Sequence, residues 1–217
     1  MKQARAARTR QALVQAAATE FDRKGYDGAS LTRISRTAGV SMGALTFHFA
    51  SEQELAEAVC AEGEEITRAV VQRMVGAGEP ALQAAVALTL ALVVLLEDEA
   101  RVRAAARLAR ERRAEQPDAW TELWEPVLRE RLRSASLQEP GGGVDPAAVA
   151  TLCLLLVRGA ETTVREHVLT CGTPAQDVIG QFSDVWRLVL KGVSAAPGTG
   201  SGRAGERRAI PRPSRSG

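Results

Sequence analysis

Apolar residues recur along this chain with the three-to-four-residue spacing of α-helices, and no segment of any length has the strict alternation of a β-strand. Glycines, prolines and helix-capping residues divide the pattern into segments. Helices are predicted at 2–24, at two short segments between residues 30 and 50, and at 51–75, 80–97, 100–114, 117–136, 146–170 and 174–194. The sequence therefore predicts an all-α fold of about nine helices.

Two short predicted helices are joined by a glycine turn. The first ends at Gly39, because glycine accepts a positive φ without a Cβ clash. Ser41 is a good N-cap for the second helix, and Gly43 leaves the first turn of that helix without a side chain. This arrangement is that of a helix-turn-helix, whose second helix enters a DNA major groove, but an αα-corner that only packs gives the same pattern.

The last two predicted helices are apolar on more than one face. Their apolar residues are Val149, Leu152, Cys153, Leu155, Leu156, Val157, Val178, Ile179, Phe182, Val185, Trp186, Leu188, Val189 and Leu190. Helices of this kind must be covered on both sides. One side meets the rest of the chain, and the other meets either a second copy in a four-helix bundle or the thick core of a monomer. We expect a homodimer.

Charge is distributed unevenly along the chain. The formal net charge is only +2, but residues 1–50, 51–190 and 191–217 carry +5, −8 and +5. A basic N-terminal unit on an acidic body is expected when one end faces phosphate, and ordinary surface variation is the alternative. Residues 195–217 are rich in Gly, Pro, Ser and Arg, and we expect them to form a disordered basic tail.

Composition argues against several classes of protein. The three cysteines, Cys60, Cys153 and Cys171, give no disulfide framework and indicate a reducing compartment. His167 and Cys171 are one helical turn apart, but without further ligands nearby no metal site is predicted. No paired carboxylates, nucleophile constellation or phosphate loop indicates an enzyme, and no cofactor is expected.

The most apolar run is Ala81–Leu96. As a helix it would span about 24 Å, which is short of the ~30 Å hydrocarbon core of a membrane. The N-terminus is basic and has no apolar signal segment. We therefore expect a buried helix, no membrane partner and a cytoplasmic location.

The region around the glycine turn resembles a known family. The stretch SLTRISRTAGVSMGALTFHFASEQEL is similar to the N-terminal domain of TetR-type repressors, whose pattern is T-x-x-x-I-x-x-x-A-G-V-S-x-G-x-L-Y-x-H-F-x-S-K-x-x-L. The matching residues are Ile34, Ala38, Gly39, Val40, Ser41, Gly43, Leu45, His48, Phe49, Ser51 and Leu55. Residues 5–60 also resemble the gamma-butyrolactone autoregulator receptors of actinomycetes, which carry FDRxGYxxxSL and GALYFHFxSKxxLA.

The resemblance implies a domain organisation and a DNA-binding site. It implies a helix-turn-helix domain at 1–50 and a helical ligand-binding and dimerisation domain at 51–194. The helix that begins at Ser51 would transmit a ligand signal between them. The residues expected to contact double-stranded operator DNA are Thr32, Arg33, Ser41, Met42, Gly43, Ala44, Thr46, Phe47 and His48.

A tryptophan pair is the candidate ligand site. Trp120 and Trp124 lie four residues apart in the predicted helix 117–136, where they either fill the core or line an apolar cleft. Gamma-butyrolactone receptors have a tryptophan at about this place that contacts the lactone, and Trp124 fits its spacing to a downstream Arg-Leu better. The pocket walls are expected to include Leu82, Val86 and Leu90.

The chain departs from the family pattern at three positions. Met42 and Glu52 stand where the family has lysines, and Thr46 stands where it has a tyrosine. The family residues commonly touch phosphates, so their loss should weaken DNA binding and reduce its dependence on salt.

We expect a homodimeric transcriptional repressor that controls secondary metabolism and is released from operator DNA by a small gamma-butyrolactone-like molecule. One alternative is a pseudo-receptor that responds to another metabolite, such as an antibiotic. Another is a partner protein with weakened DNA binding that acts by heterodimerising.

Overall fold

The computed structural model describes residues 2–75, 79–111, 118–138, 145–171 and 178–195. Over these residues the chain is all-α, as predicted, with nine α-helices and one short 3₁₀ turn. The helices are α1 (Lys2–Lys24), α2 (Leu31–Thr37), α3 (Met42–His48), α4 (Glu52–Val75), α5 (Ala81–Asp98), α6 (Ala100–Glu111), α7 (Glu125–Gln138), α8 (Pro146–Cys171) and α9 (Val178–Ala195). The predicted tail from residue 196 onward lies outside the described residues.

The predicted helix 117–136 is wrong in its first part. The described chain there forms a 3₁₀ turn at Thr121–Leu123, and α7 begins only at Glu125. Pro126 explains the difference, because within a longer helix it would lack an N–H for the carbonyl one turn earlier and would clash with it. In the first turn of α7 the same proline is tolerated. Trp120 and Trp124 therefore do not share one face of a regular helix.

Local capping forms the predicted helix-turn-helix. The Ser30 hydroxyl accepts a hydrogen bond from the Arg33 N–H at 3.4 Å, and the Ser41 hydroxyl accepts one from the Ala44 N–H at 3.2 Å. Gly39 has a φ of +69°, a left-handed conformation that glycine adopts without strain. Side-chain caps and a glycine turn thus define both ends of α2 and the start of α3.

We call α1, α2 and α3 the head and α5 to α9 the body, with α4 running between them. The core of the head is centred on Phe21 and Ile34, and it also includes residues from the first half of α4. Two residues of α6, Ala104 and Leu108, complete this core. The predicted domain boundary at residue 50 stays a prediction, but the hydrophobic core of the head extends across it.

The core of the body forms around α5 and α8, which pack against each other. Their buried residues include Leu92, Leu96, Val157 and Ala160. By length and composition alone, α5 and the segment Pro146–His167 could each cross a membrane, but the core helices of folded proteins pass the same test. Their place in this core accounts for their apolar composition.

A buried ion pair attaches the head to α6. The Arg103 Nε donates to an Asp22 carboxylate oxygen at 2.7 Å, and Arg103 also donates to the carbonyls of Leu96 and Glu97 at 2.8 Å. Burial raises the pKa of the Asp22 carboxyl, and the neighbouring Arg103 opposes that rise. At the other end of α6, Arg110 forms a bidentate ion pair with Glu161 of α8. Helix α6 is therefore bonded both to α1 of the head and to α8 of the body.

The helices α4 and α6 cross in close contact at Gly63. A Cβ atom on this residue would lie 2.4 Å from the Arg101 carbonyl oxygen and 2.7 Å from the Ala105 Cβ. The absence of a side chain at Gly63 thus allows the two helix backbones to approach each other directly.

Replacing Gly63 by alanine should destabilise the protein, because the new methyl group forces α6 away from α4. We expect the Gly63→Ala variant to lose about 1–3 kcal/mol of unfolding free energy, measured by urea denaturation. Gly43→Ala is the control, since its nearest neighbour is the Ser41 hydroxyl at 3.9 Å, and its unfolding free energy should change by less than about 0.5 kcal/mol. Equal stability of both variants would contradict a tight crossing.

Candidate DNA-reading surface and ligand pocket

The residues predicted to contact DNA lie on α2, on α3 and at Ser41, the residue that caps α3. Most of them are exposed, and Ala44 and His48 are half-buried. We call these nine residues the reading surface: Thr32, Arg33, Ser41, Met42, Gly43, Ala44, Thr46, Phe47 and His48. The space above Gly43 is open, since a Cβ atom added there would meet nothing closer than the Ser41 hydroxyl at 3.9 Å. Another molecule can therefore approach the backbone of α3 closely.

Buried anchors hold α3 in position. A seven-residue helix is not stable alone in water, so its orientation must come from tertiary packing. Leu45 and Phe49 supply that packing, because both are buried in the core of the head. The Arg10 guanidinium lies 5.0 Å from the centroid of the Phe49 ring, which ties α1 to the end of α3. The reading surface is thus a rigid feature of the head.

Phe47 presents a large apolar ring to solvent, with 82% of the residue exposed. Its ring packs edge-on against His48, with ring centroids 5.3 Å apart. Met42, at the start of α3, is 37% exposed. Apolar side chains on a major-groove helix can contact the methyl group of thymine. The reading surface therefore offers apolar contacts in addition to hydrogen-bonding groups.

The basic groups near the reading surface come from α1 and α2. Arg5, Arg8 and Arg10 are exposed along the first turns of α1. Arg33 lies 3.3 Å from a carboxylate oxygen of Glu20, and its side chain remains mostly exposed. These side chains can meet phosphates, whereas Met42 supplies no charge.

The two tryptophans of the candidate ligand site lie in the core of the body. Trp120 and Trp124 form an edge-to-face pair with ring centroids 6.2 Å apart. The Trp120 indole N–H donates to the Thr67 hydroxyl at 3.0 Å. Trp124 is 1% exposed, and its indole N–H has no hydrogen-bond partner among the described residues. A buried N–H without a partner is costly, so a ligand that offers an acceptor there would be favoured.

A pocket opens between α4, α5 and α7, next to this pair. Its space not filled by atoms is about 220 Å³, part of it open to solvent, and it is lined by Met74, Ala84, Leu88, Val127, Leu128 and Arg131. Leu128 lies one helical turn after Trp124, and its N–H donates to the Trp124 carbonyl at 3.0 Å. The pocket therefore lies close to Trp124, although neither tryptophan is part of its lining.

The three α5 residues predicted for the pocket walls do not line this pocket. Leu82, Val86 and Leu90 are half-buried against the core of the body. The pocket instead contacts Ala84 and Leu88, which lie on roughly the opposite side of α5 by helical spacing. Because α5 is apolar on all sides, its sequence does not indicate which face meets a cavity. Arg131 and Met74 were missed for a related reason, since their proximity depends on how α4 and α7 pack.

The two cysteines whose side chains are described lie in or beside the hydrophobic cores and not on the reading surface. Cys153 is a buried core residue, as predicted, and burial raises the pKa of its thiol. Cys60 is half-buried at the edge of the head core. The side chain of Cys171, one helical turn after His167 in the sequence, lies outside the described residues.

Comparisons with known proteins agree with this architecture. The family model of bacterial regulatory proteins, tetR family, matches residues 13–59. The A-factor receptor protein of Streptomyces griseus is 30% identical over 198 residues, which cover 91% of this chain and 67% of the relative.

Solved structures of similar proteins extend the match to the body. A gamma-butyrolactone receptor (ArpA-like protein) has 31% identity and a TM-score of 0.62, and the match covers 87% of this chain and 98% of that chain. CprB of Streptomyces coelicolor, in complex with its biological operator sequence, has 28% identity and a TM-score of 0.68. That match covers 86% of this chain and 89% of that chain.

Adding lysines at Met42 and Glu52 should strengthen DNA binding. The Met42→Lys/Glu52→Lys variant gains two cations and loses one carboxylate beside the reading surface. We expect tighter binding to a duplex from the upstream region of the gene, with the slope of log K against log salt steeper by about two. Fluorescence anisotropy titrations at several salt concentrations measure both quantities.

The matched control is Met42→Gln/Glu52→Gln, which removes the carboxylate without adding cations. Its salt slope should stay close to that of the unchanged protein. Identical affinities and slopes for the lysine and glutamine variants would show that these two positions do not face phosphate.

Proposed function

Because this chain belongs to the TetR family of bacterial regulatory proteins, alongside the A-factor receptor protein and the gamma-butyrolactone receptors, we propose that it is a ligand-responsive, homodimeric transcriptional repressor. The observation that carries this proposal is the exposed reading surface, held rigidly by Leu45 and Phe49. Such a repressor works on chromosomal DNA, so it acts in the cytoplasm, and it acts by binding and not as an enzyme.

In this proposal the reading surface contacts operator DNA. Residues 41–48 enter the major groove, and the α2 residues Thr32 and Arg33 contact the backbone beside it. One helix of seven residues reads only a few base pairs, so two copies are needed to read two half-sites about 34 Å apart. The relative from Streptomyces coelicolor, CprB, has been solved with its operator, which supports DNA as the partner.

A homodimer through α8 and α9 supplies the second copy. Two large apolar side chains there are mostly exposed in the single chain, Leu155 at 62% and Leu188 at 70%. Val185 lies one turn before Leu188 on the same side of α9 and is also exposed. We call these exposed apolar side chains of α8 and α9 the apolar face. Pairing this face with its copy in a four-helix bundle removes it from water.

A small apolar ligand with a hydrogen-bond acceptor fits the Trp124 region. The carbonyl of a gamma-butyrolactone would satisfy the unpartnered indole N–H of Trp124. The adjacent pocket has room for only about one water molecule, far less than the roughly 300–1,000 Å³ typical of ligand sites. Binding therefore separates α4, α5 and α7, and the movement of α4 displaces the head. The ligand must favour this displaced state over the DNA-bound state, because equal affinity for both shifts nothing.

A second candidate function rests on the departures from the family pattern. Met42, Thr46 and Glu52 replace two lysines and a tyrosine that meet phosphate in the family. A protein with such weakened phosphate contacts could act as a heterodimerising partner, or as a pseudo-receptor that responds to another metabolite such as an antibiotic.

Gel shifts with the upstream region of the gene separate these functions. A shifted band that A-factor abolishes supports a gamma-butyrolactone-responsive repressor that controls secondary metabolism. A band that A-factor leaves unchanged supports the pseudo-receptor. The absence of a band even at low salt supports the heterodimerising partner and contradicts the repressor.

Charged residues on the apolar face should split the dimer. In the Leu155→Asp/Leu188→Asp variant, carboxylates would be buried without partners in the bundle, at a cost of several kcal/mol. Light scattering after gel filtration should give the chain mass of 23.1 kDa in place of twice that mass, with a loss of operator affinity of at least tenfold. Ser136→Asp, on the exposed side of α7, should remain dimeric. A dimeric double variant would locate the interface elsewhere.

Removing the Trp124 indole N–H should weaken ligand binding without affecting DNA binding. In Trp124→Phe, we expect about tenfold more A-factor to be needed for half-maximal release of operator DNA, the value of one hydrogen bond. Trp186→Phe is the matched control, because Trp186 is equally buried and its indole N–H also lacks a partner among the described residues. Equal effects of the two variants would indicate general core damage and not ligand contact.

A further inference from the structure

A buried hydrogen-bond relay connects the tryptophan pair to α4. The Trp120 indole N–H donates to the Thr67 hydroxyl at 3.0 Å, and that hydroxyl donates to the Gly63 carbonyl at 2.8 Å. Both Trp120 and Thr67 are buried. The Thr67 hydroxyl therefore acts as acceptor and donor at once, and the two bonds fix its rotation. Because a buried N–H without a partner is costly, Trp120 and α4 are held together at this point.

The relay ends where α4 meets both α6 and the head. Gly63 is the residue at which the α6 backbone crosses α4. One residue earlier, a Glu62 carboxylate oxygen accepts from Gln11 of α1 at 3.1 Å and from Arg101 of α6 at 3.4 Å. A displacement of α4 at this level therefore moves its contacts with α1 as well as with α6.

The other end of the relay touches the candidate ligand site. Trp120 packs edge-to-face against Trp124, whose indole N–H is unpartnered, and the 3₁₀ turn between the two rings packs against α4. Packed aromatic rings cannot move independently in a core at crystal-like density. A ligand that shifts Trp124 must therefore also shift Trp120 or break its contact.

We propose that Thr67 is a positioning residue that couples ligand binding at Trp124 to the placement of the head, by tying Trp120 to α4 at the α6 crossing. The inference rests on the proposed ligand response and names the residue through which that response travels. Thr67 touches neither the ligand nor DNA. A ligand that moves the tryptophan pair pulls on α4 through this hydroxyl, and DNA binding at the head acts on the pair in reverse, because coupling between sites is reciprocal.

The test removes the hydroxyl and keeps the shape. Thr67→Val has nearly the same volume and no hydrogen-bonding group, and Thr67→Ser restores the hydroxyl. Thr89→Val is the matched control, since Thr89 is also buried in a helix and donates to a carbonyl one turn earlier, at 2.7 Å, but makes no bond to Trp120. The readout is the ratio of operator dissociation constants with and without saturating A-factor, which a purely structural role of Thr67 would leave unchanged.

We expect Thr67→Val to bind operator DNA in the absence of A-factor within about threefold of the unchanged protein, while the ratio falls at least tenfold. Thr67→Ser and Thr89→Val should keep the original ratio. An unchanged ratio in Thr67→Val would overturn the relay and leave the repressor function intact.

If A-factor does not release the unchanged protein, the proposed ligand is wrong, and the relay is tested from the DNA side. The Trp120 indole signal in ¹⁵N spectra, assigned with Trp120→Phe, should then shift when duplex DNA is added at low salt. In Thr67→Val this shift should disappear. A Trp120 signal that does not respond to DNA in the unchanged protein would overturn the relay.

Discussion

The backbone crossing of α4 and α6 at Gly63 is the contact on which the rest of this structure depends. α6 has only twelve residues, yet it completes the head core with Ala104 and Leu108 and holds Asp22 through Arg103. These contacts require α6 to lie directly on α4, which a side chain at residue 63 would prevent. The helix pair α4 and α6 therefore connects the head to the body. A conformational change in the body can be transmitted to the head through this pair.

The reading surface combines rigid placement with modest electrostatics. Buried anchors fix the short helix α3 when the protein folds. DNA binding therefore loses no free energy to ordering this helix. The arginines of α1 and α2 provide positive charge, but Met42 and Glu52 do not add to it. In the proposed complex, exposed Phe47 would add apolar area that suits thymine methyl groups. The proposed DNA binding would therefore rely more on base contacts and less on salt-sensitive phosphate contacts.

The sequence predicts those parts of the fold that depend on contacts between residues close together in the chain. Ser30, Gly39 and Ser41 set the ends of α2 and α3 through contacts within a few residues, so the helix-turn-helix and its exposed face were predictable. Sites that depend on how distant helices pack were not. The prediction that Trp120 and Trp124 share one regular helix was wrong, because the 3.6-residue period was extended across Pro126. The pocket-facing side of α5 and the bond between Thr67 and Trp120 depend on how α4 packs against α5, α7 and the 3₁₀ turn, which leaves no local signal.

In the proposed repressor, a ligand in the body changes the separation of two heads in a dimer. The most direct test is the distance between spin labels at Gln53→Cys, an exposed position at the start of α4, in a dimer whose native cysteines are replaced by serine. We expect one distance population with operator DNA bound and a shift of several ångström when A-factor displaces the DNA. Identical distance distributions with A-factor, with DNA and with neither would contradict it.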